Sequence, residues 1–136
     1  MNNPPKILVV DDTPANVLLL SQLLRWAGYH VLSAESGTAG YNLAVSQQPD
    51  LILLDVAMPG MDGYEVCRAL KKNELTSDIP VIFITAKAET VDKVKGLDIG
   101  GVDYITKPFQ HAEVMARVRR HLELKSMYEK KLDADK

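Results

Sequence analysis

The sequence predicts an α/β fold, an open parallel sheet of five strands in the order 2-1-3-4-5 between two layers of helices. Three observations predict it. The apolar runs Ile7–Val10, Leu51–Leu54 and Val81–Ile84 show no polar alternation, the pattern of strands covered on both faces. Segments with helical periodicity separate the runs, so the connections are crossovers, which join parallel strands. Acidic, hydroxyl and basic residues stand directly after the runs, at the edge where open α/β sheets bind ligands.

The elements follow in order. Ile7–Val10 is the first strand. Thr13 then stands at a cap position and Pro14 at the first helical position. Val17, Leu20 and Leu24 recur on one helical face, and Gly28 ends that helix. Tyr29–Leu32 is a second, weaker strand. A helix is expected near Thr38–Ser46, followed by the strand Leu51–Leu54 and a helix near Gly63–Lys72. Asp78-Ile79-Pro80 interrupts the chain before Val81–Ile84. A helix near Glu89–Leu97, a short strand Asp103–Ile105 and a final helix from Gln110 complete five β-α units. The first, third and fourth strands are the most apolar and belong in the centre, with the second and fifth at the edges.

The bulk properties fit one such domain. The chain has 136 residues, of which 46% are hydrophobic and 25% charged, which excludes a disordered polar chain. A net charge of −2 gives no general attraction to nucleic acid or anionic lipid. The single cysteine, Cys67, excludes an internal disulfide and a multi-cysteine zinc site; beside Val66 and Leu70 it reads as a core residue. His30, His111 and His121 share no spacing and read as surface residues. MNNPPK carries no apolar run behind a basic cluster, and no stretch approaches the ~20 apolar residues of a membrane span. A cytoplasmic location is therefore expected.

The residues after the strands carry the chemistry. Strand one leads into Asp11-Asp12, strand three into Asp55, strand four into Thr85, and strand five into Lys107-Pro108. Three converging carboxylates repel one another, and a hard divalent cation relieves that repulsion. Carboxylates with water suit Mg²⁺. Asp55 is the central carboxylate, placed to act as a nucleophile toward phosphorus, with Lys107 supplying charge and Thr85 a hydrogen bond. Asp55 to Gly63 is rich in turn residues; Pro59 fixes a backbone angle, Gly60 and Gly63 permit positive φ, and a stiff loop can turn the Ala57 carbonyl toward the metal.

In this order and spacing, Asp11-Asp12, Asp55 to Gly63, Thr85-Ala86 and Lys107-Pro108-Phe109 resemble the response-regulator receiver family of two-component phosphorelay systems. The resemblance implies a flavodoxin-like (βα)5 three-layer sandwich over residues 1–123. It implies that Asp55 takes a phosphoryl group from a phosphohistidine of a histidine kinase or phosphotransfer protein. Asp12, Asp55 and the Ala57 carbonyl would bind Mg²⁺, with Asp11 assisting, and Thr85 and Lys107 would hold the phosphoryl group. Tyr104 takes the place of the family's switch aromatic: as Thr85 moves toward the phosphoryl group, Tyr104 turns inward. The face of the fourth helix, fifth strand and fifth helix then changes. Ala57 and Lys87 hold positions that set the dephosphorylation rate, and the Lys107-Pro108 bond is expected to be cis. Gly101 after Gly100 departs from the family's usual Gly-Ala and is expected to loosen the loop before strand five.

Residues 124–136 extend the last helix. Helical patterning runs from Gln110 toward Leu132, a rod of roughly 35 Å. Met115, Val118 and Leu122 are expected to face the sheet, while Leu124, Tyr128 and Leu132 form a stripe at i, i+4, i+8. This segment reads either as a connector that leads to an output module or pairs with its copy, or as a frayed, solvated helix end. Two rival functions fit less well. A phosphatase with an aspartyl-phosphate intermediate needs an acid two residues after its nucleophile, where Ala57 stands. A flavin-binding domain needs a phosphate loop after strand one, where Asp11-Asp12 would repel phosphate. No helix-turn-helix segment points to direct DNA binding.

Overall fold

The computed structural model describes residues 3–86 and 90–134. Five strands alternate with five helices: β1 (Lys6–Val10), α1 (Pro14–Trp26), β2 (His30–Ala34), α2 (Gly37–Gln47), β3 (Leu51–Asp55), α3 (Gly63–Lys72), β4 (Val81–Ala86), α4 (Thr90–Ile99), β5 (Asp103–Lys107) and α5 (His111–Ala134). The strands form one parallel sheet in the order β2-β1-β3-β4-β5, as the distribution of apolar runs predicts.

The pleat sends alternate side chains to opposite faces, so the sheet builds two cores. Leu8, Val10, Ile52, Leu54 and Phe83 pack with residues of α2 and α3, including Ala44, Tyr64, Val66, Cys67 and Leu70. Ile7, Val9, Leu51, Leu53, Ile82, Ile84 and Ile105 pack with Leu20 and Leu24 of α1 and Val114 and Val118 of α5. Cys67 is buried, and burial pushes its thiol above the ordinary range, in keeping with a packing role. On α5, Val118 is buried as expected, Met115 and Leu122 are half-buried, and Val114 is the additional residue that seals the helix to the sheet. No described helix is long and apolar enough to cross a membrane.

Local signals explain the helix starts. Asp62 caps α3: its Oδ1 accepts the Glu65 N–H at 2.9 Å, and the Glu65 carboxylate accepts the Asp62 N–H, a reciprocal capping box. Thr13 stands at the cap position of α1 but makes no side-chain cap bond. Asp11 instead shapes the turn that leads into the helix, its Oδ1 accepting the Thr13 N–H two residues on at 2.9 Å.

Two sequence expectations need correction. His121 is not a surface residue: its side chain is buried where α5 crosses β5, with Nε2 2.9 Å from Asp103 Oδ2. Arg117 Nη1 donates to the other oxygen of Asp103 at 2.7 Å, and Arg117 Nε lies 3.6 Å from Glu113 Oε1. Burial pushes the Asp103 carboxyl up, but His121, the Tyr104 N–H and Arg117 outweigh it and hold it below its ordinary range. The pattern of apolar residues could not reveal this polar clamp, since its partners are 14 and 18 residues apart and on different elements. The second correction concerns Gly101. Far from loosening the loop, it lies tight beneath Phe83: a Cβ there would stand 2.2 Å from Phe83 Cε2.

Gly101→Ala should therefore destabilise the fold by about 1–3 kcal/mol in urea unfolding, the usual cost of overpacking a tight site. Pairing it with Phe83→Leu, which removes the opposing ring edge, should make the second change cost less than it does alone. Simple additivity of the two changes would contradict the steric account.

Candidate functional site

Sheet register brings the predicted residues together. Val10 pairs with Leu54, so Asp11 and Asp55 leave neighbouring strands side by side. Asp55 pairs with Ile84, which puts Thr85 one step beyond it, and Ala86 pairs with Lys107. The sheet edge thus gathers two acids, a hydroxyl and an ammonium, with Asp12 on the adjoining turn.

Asp11 is fully buried and Asp55 only 2% exposed, while Asp12 lies nearer solvent. Oxygen atoms of Asp11, Asp12 and Asp55 all lie within 4.8 Å of one another. Lys107 Nζ stands 3.5 Å from Asp55 Oδ1 and 3.7 Å from Asp11 Oδ2. Asp55 Oδ1 also accepts the Ala57 N–H at 3.3 Å. Its Oδ2, in contrast, is buried with no hydrogen-bond partner among the described residues. An orphaned carboxylate oxygen is costly. Burial, reinforced by Asp11, pushes the Asp55 carboxyl up from 3.8 to about 6, even though Lys107 and the Ala57 N–H pull the other way.

An all-oxygen donor set with a buried, unsatisfied carboxylate atom fits a hard divalent cation. The residues present therefore suit Mg²⁺, although Asp11 also has protein partners: the Thr13 N–H and Asn16 Nδ2, at 3.3 Å. Asn16 escaped the sequence reading. The available signal was an amide in the first turn of a helix that starts just after the acid pair.

The loop after Asp55 is shaped for closeness. Gly60 has φ +76° as expected, but Gly63 owes its identity to space instead of to positive φ: a Cβ there would lie 2.2 Å from the Asp55 backbone oxygen. Thr85 is buried at the end of β4, with its hydroxyl 3.4 Å from the Ala86 carbonyl. The Lys107-Pro108 bond is cis. Tyr104 is already inside, 7% exposed, with its hydroxyl 3.3 Å from that of Tyr64. Lys87 lies outside the described residues.

The fold and site define an α/β receiver module with an acidic pocket at the carboxyl edge of its sheet. The pattern of the response regulator receiver domain matches residues 7–119, and the chain belongs to that family. Among curated relatives, it is 50% identical over 115 residues to the DNA-binding dual master transcriptional regulator RpaA of Synechocystis sp., covering 85% of this chain and 48% of that protein. It is 47% identical over 114 residues to the alkaline phosphatase synthesis transcriptional regulatory protein PhoP of Bacillus subtilis, covering 84% and 47%. The chain thus spans about half the length of these relatives. A similar solved structure is the receiver domain of a sensor histidine kinase from Pseudomonas aeruginosa PAO1, with a magnesium ion coordinated in its active-site cleft. It is 33% identical with a TM-score of 0.82, covering 88% of this chain and 98% of that one. The chain is a signalling receiver domain of the two-component type.

The raised Asp55 carboxyl gives a pH signature. Its folded pKa of about 6 lies above the ordinary 3.8, so between these values the native state keeps a proton that the unfolded state has released. Stability without metal should fall as pH rises through that window, by roughly 2 kcal/mol, and level off above it. Urea unfolding from pH 4 to 7 should show this slope in the wild type and lose it in Asp55→Asn. At pH 7, Mg²⁺ should raise the unfolding midpoint of the wild type and not that of Asp55→Asn.

Proposed function

We propose that this receiver domain accepts a phosphoryl group on Asp55 from a phosphohistidine of a histidine kinase or a histidine phosphotransfer protein. The observation that carries the reading is the buried Asp55 Oδ2, without a hydrogen-bond partner among the described residues, beside a second buried acid and the Lys107 ammonium. In the transfer, an Asp55 oxygen forms a bond to phosphorus as the N–P bond of the donor breaks. The electron pair leaves with the imidazole nitrogen, which takes up a proton.

Each side chain has a part in this step. Asp11, Asp12, Asp55 and the Ala57 carbonyl would hold Mg²⁺, which supplies the positive charge that lets an anionic phosphoryl group approach a carboxylate. Lys107 neutralises one phosphoryl oxygen and Thr85 donates to another. Ala57, two residues after Asp55, offers no acid to protonate a leaving group. Activity is accordingly that of a switch, limited to self-phosphorylation and autodephosphorylation.

The added charge shifts the balance between two packings of α4, β5 and α5, with Thr85 and Tyr104 as the switch residues. Residues 124–134 serve as a connector to an output region or to a second copy. Their helix continues to Ala134 with Leu124, Met127, Tyr128 and Leu132 exposed, more apolar surface than a terminal solvated helix calls for.

Incubation with acetyl phosphate and Mg²⁺ should add one phosphoryl mass to the chain, and Asp55→Asn should abolish it. Lys107→Ala should slow the reaction by about 10- to 1,000-fold, the scale of losing one charge-stabilising group. Modification that persists undiminished in Asp55→Asn would exclude the reading. For the connector, limited proteolysis should spare the bonds after Leu124 more when beryllofluoride and Mg²⁺ are present; equal cutting in both states would show that the extension takes no part in switching.

A further inference from the structure

The corner between β2 and α2 contributes no side chain to the acidic site, yet it touches both chain segments that build it. At its start, the Asp11 N–H donates to the Ala34 carbonyl at 3.2 Å, so the first acid is tied by its backbone to the end of β2. Ser36 then caps α2, its hydroxyl accepting the Ala39 N–H at 3.1 Å. Two glycines bring the helix behind that cap close to its neighbours. A Cβ on Gly40 would stand 2.7 and 2.8 Å from the two methyl carbons of Val10, the residue before Asp11. A Cβ on Gly37 would stand 2.3 Å from the Met61 carbonyl oxygen and 2.9 Å from Val66 Cγ2. Met61 lies in the loop that runs on from Asp55 through Ala57. The first turn of one helix thus bears both on the strand end that carries Asp11 and Asp12 and on the loop that follows Asp55.

We propose that Gly37 and Gly40 are positioning residues of the metal site, which hold Asp11-Asp12 and the loop after Asp55 at the spacing Mg²⁺ requires and so make the site discriminate against larger divalent cations. The inference rests on the Mg²⁺ site of the proposed function. Mg²⁺ needs near-octahedral ligands at about 2.0–2.1 Å, whereas Ca²⁺ accepts irregular ligands at about 2.3–2.6 Å. Spacing between the ligands therefore matters more to Mg²⁺. A methyl group at 37 would fall more than about 1 Å short of ordinary contact with the Met61 carbonyl oxygen. Backbone has to yield, and the loop yields before the helix does. α2 is seated on Val10 and capped at its first turn, while Ala57, Pro59 and Gly60 of the loop are exposed. The displacement passes along the loop to the Ala57 carbonyl, one of the groups proposed to hold the ion. A methyl group at 40 acts on the other half of the site, pressing on Val10 and through it on Asp11-Asp12.

NMR titration of the isotopically labelled full chain with magnesium chloride and with calcium chloride at pH 7 measures both affinities from the amide shifts of Asp12 and Ala57. The wild type should prefer Mg²⁺. Gly37→Ala should weaken Mg²⁺ binding by about 10-fold, the lower end of what changes behind the ligands cost, and Ca²⁺ binding by about 3-fold or less. Gly40→Ala should lower the same preference, and adding Val10→Ala, which removes the methyl carbons in the way, should restore it. Gly28→Ala controls for simple loss of stability. With φ +98° and open space around it, Gly28 stands before β2 at the opposite edge of the sheet, so a side chain there strains the backbone without pressing on the site. That variant should unfold earlier and keep the wild-type preference. Should Gly37→Ala fail to fold by circular dichroism, Gly40→Ala with and without Val10→Ala carries the measurement. An unchanged preference in the folded glycine variants, an equal loss of both ions, or a preference that Val10→Ala does not restore would overturn the proposal. So would a preference lowered as much by Gly28→Ala. A wild type that binds neither ion would sink the Mg²⁺ reading and this inference with it, whereas a wild type that binds Mg²⁺ beside variants that bind it equally well would sink only the role of the two glycines.

Discussion

The structure depends on the repulsion between Asp11 and Asp55, two acids buried side by side with one ammonium between them. Lys107 can approach both but satisfies neither fully, at 3.5 and 3.7 Å. Asp55 consequently keeps an oxygen without a partner among the described residues and a carboxyl pushed up to about 6. A domain selected only for stability would replace such a pair with apolar residues. The proposed response to a cation or a phosphoryl group rests on this retained tension, because either one would relieve what the fold alone leaves unresolved.

That tension is confined by packing. The strands carrying the acids are sealed on both faces, so the sheet cannot relax to separate the charges. Gly63 lets α3 begin directly against the Asp55 backbone, and Gly101 lets β5 be reached beneath Phe83. Both glycines act through the side chain they lack, bringing the fold's third and fifth units close enough to the site to respond to it.

Much of this was legible in the chain itself. Uninterrupted apolar runs located the strands, and their relative hydrophobicity placed β1, β3 and β4 in the centre. The residue following each run gave the site, because parallel strands all present their carboxyl ends to one edge. What stayed hidden depended on side chains meeting across elements. His121 carries no periodic signal that distinguishes a surface imidazole from one clamped to Asp103. Asn16 looks like any polar residue in a first helical turn. Gly101 read as a flexible position because composition records what a residue permits, not which neighbour fills the space it leaves. The apolar stripe of the last helix was visible, yet the ion pair of Lys125 with Asp50 at 3.8 Å, which ties the helix to the start of β3, was not.

The clamp of Asp103 by Arg117 and His121 has a mechanical consequence. It bolts the first residue of β5 to the second and third turns of α5, the same helix that runs on to Ala134. A helix of 24 residues spans about 36 Å, so tilting it by only about 5° at its base would carry its tip through about 3 Å. Were the edge strand to shift, the domain would be the fulcrum and the helix the lever arm, and the Lys125–Asp50 pair farther along would be the stay that has to give before the tip could swing.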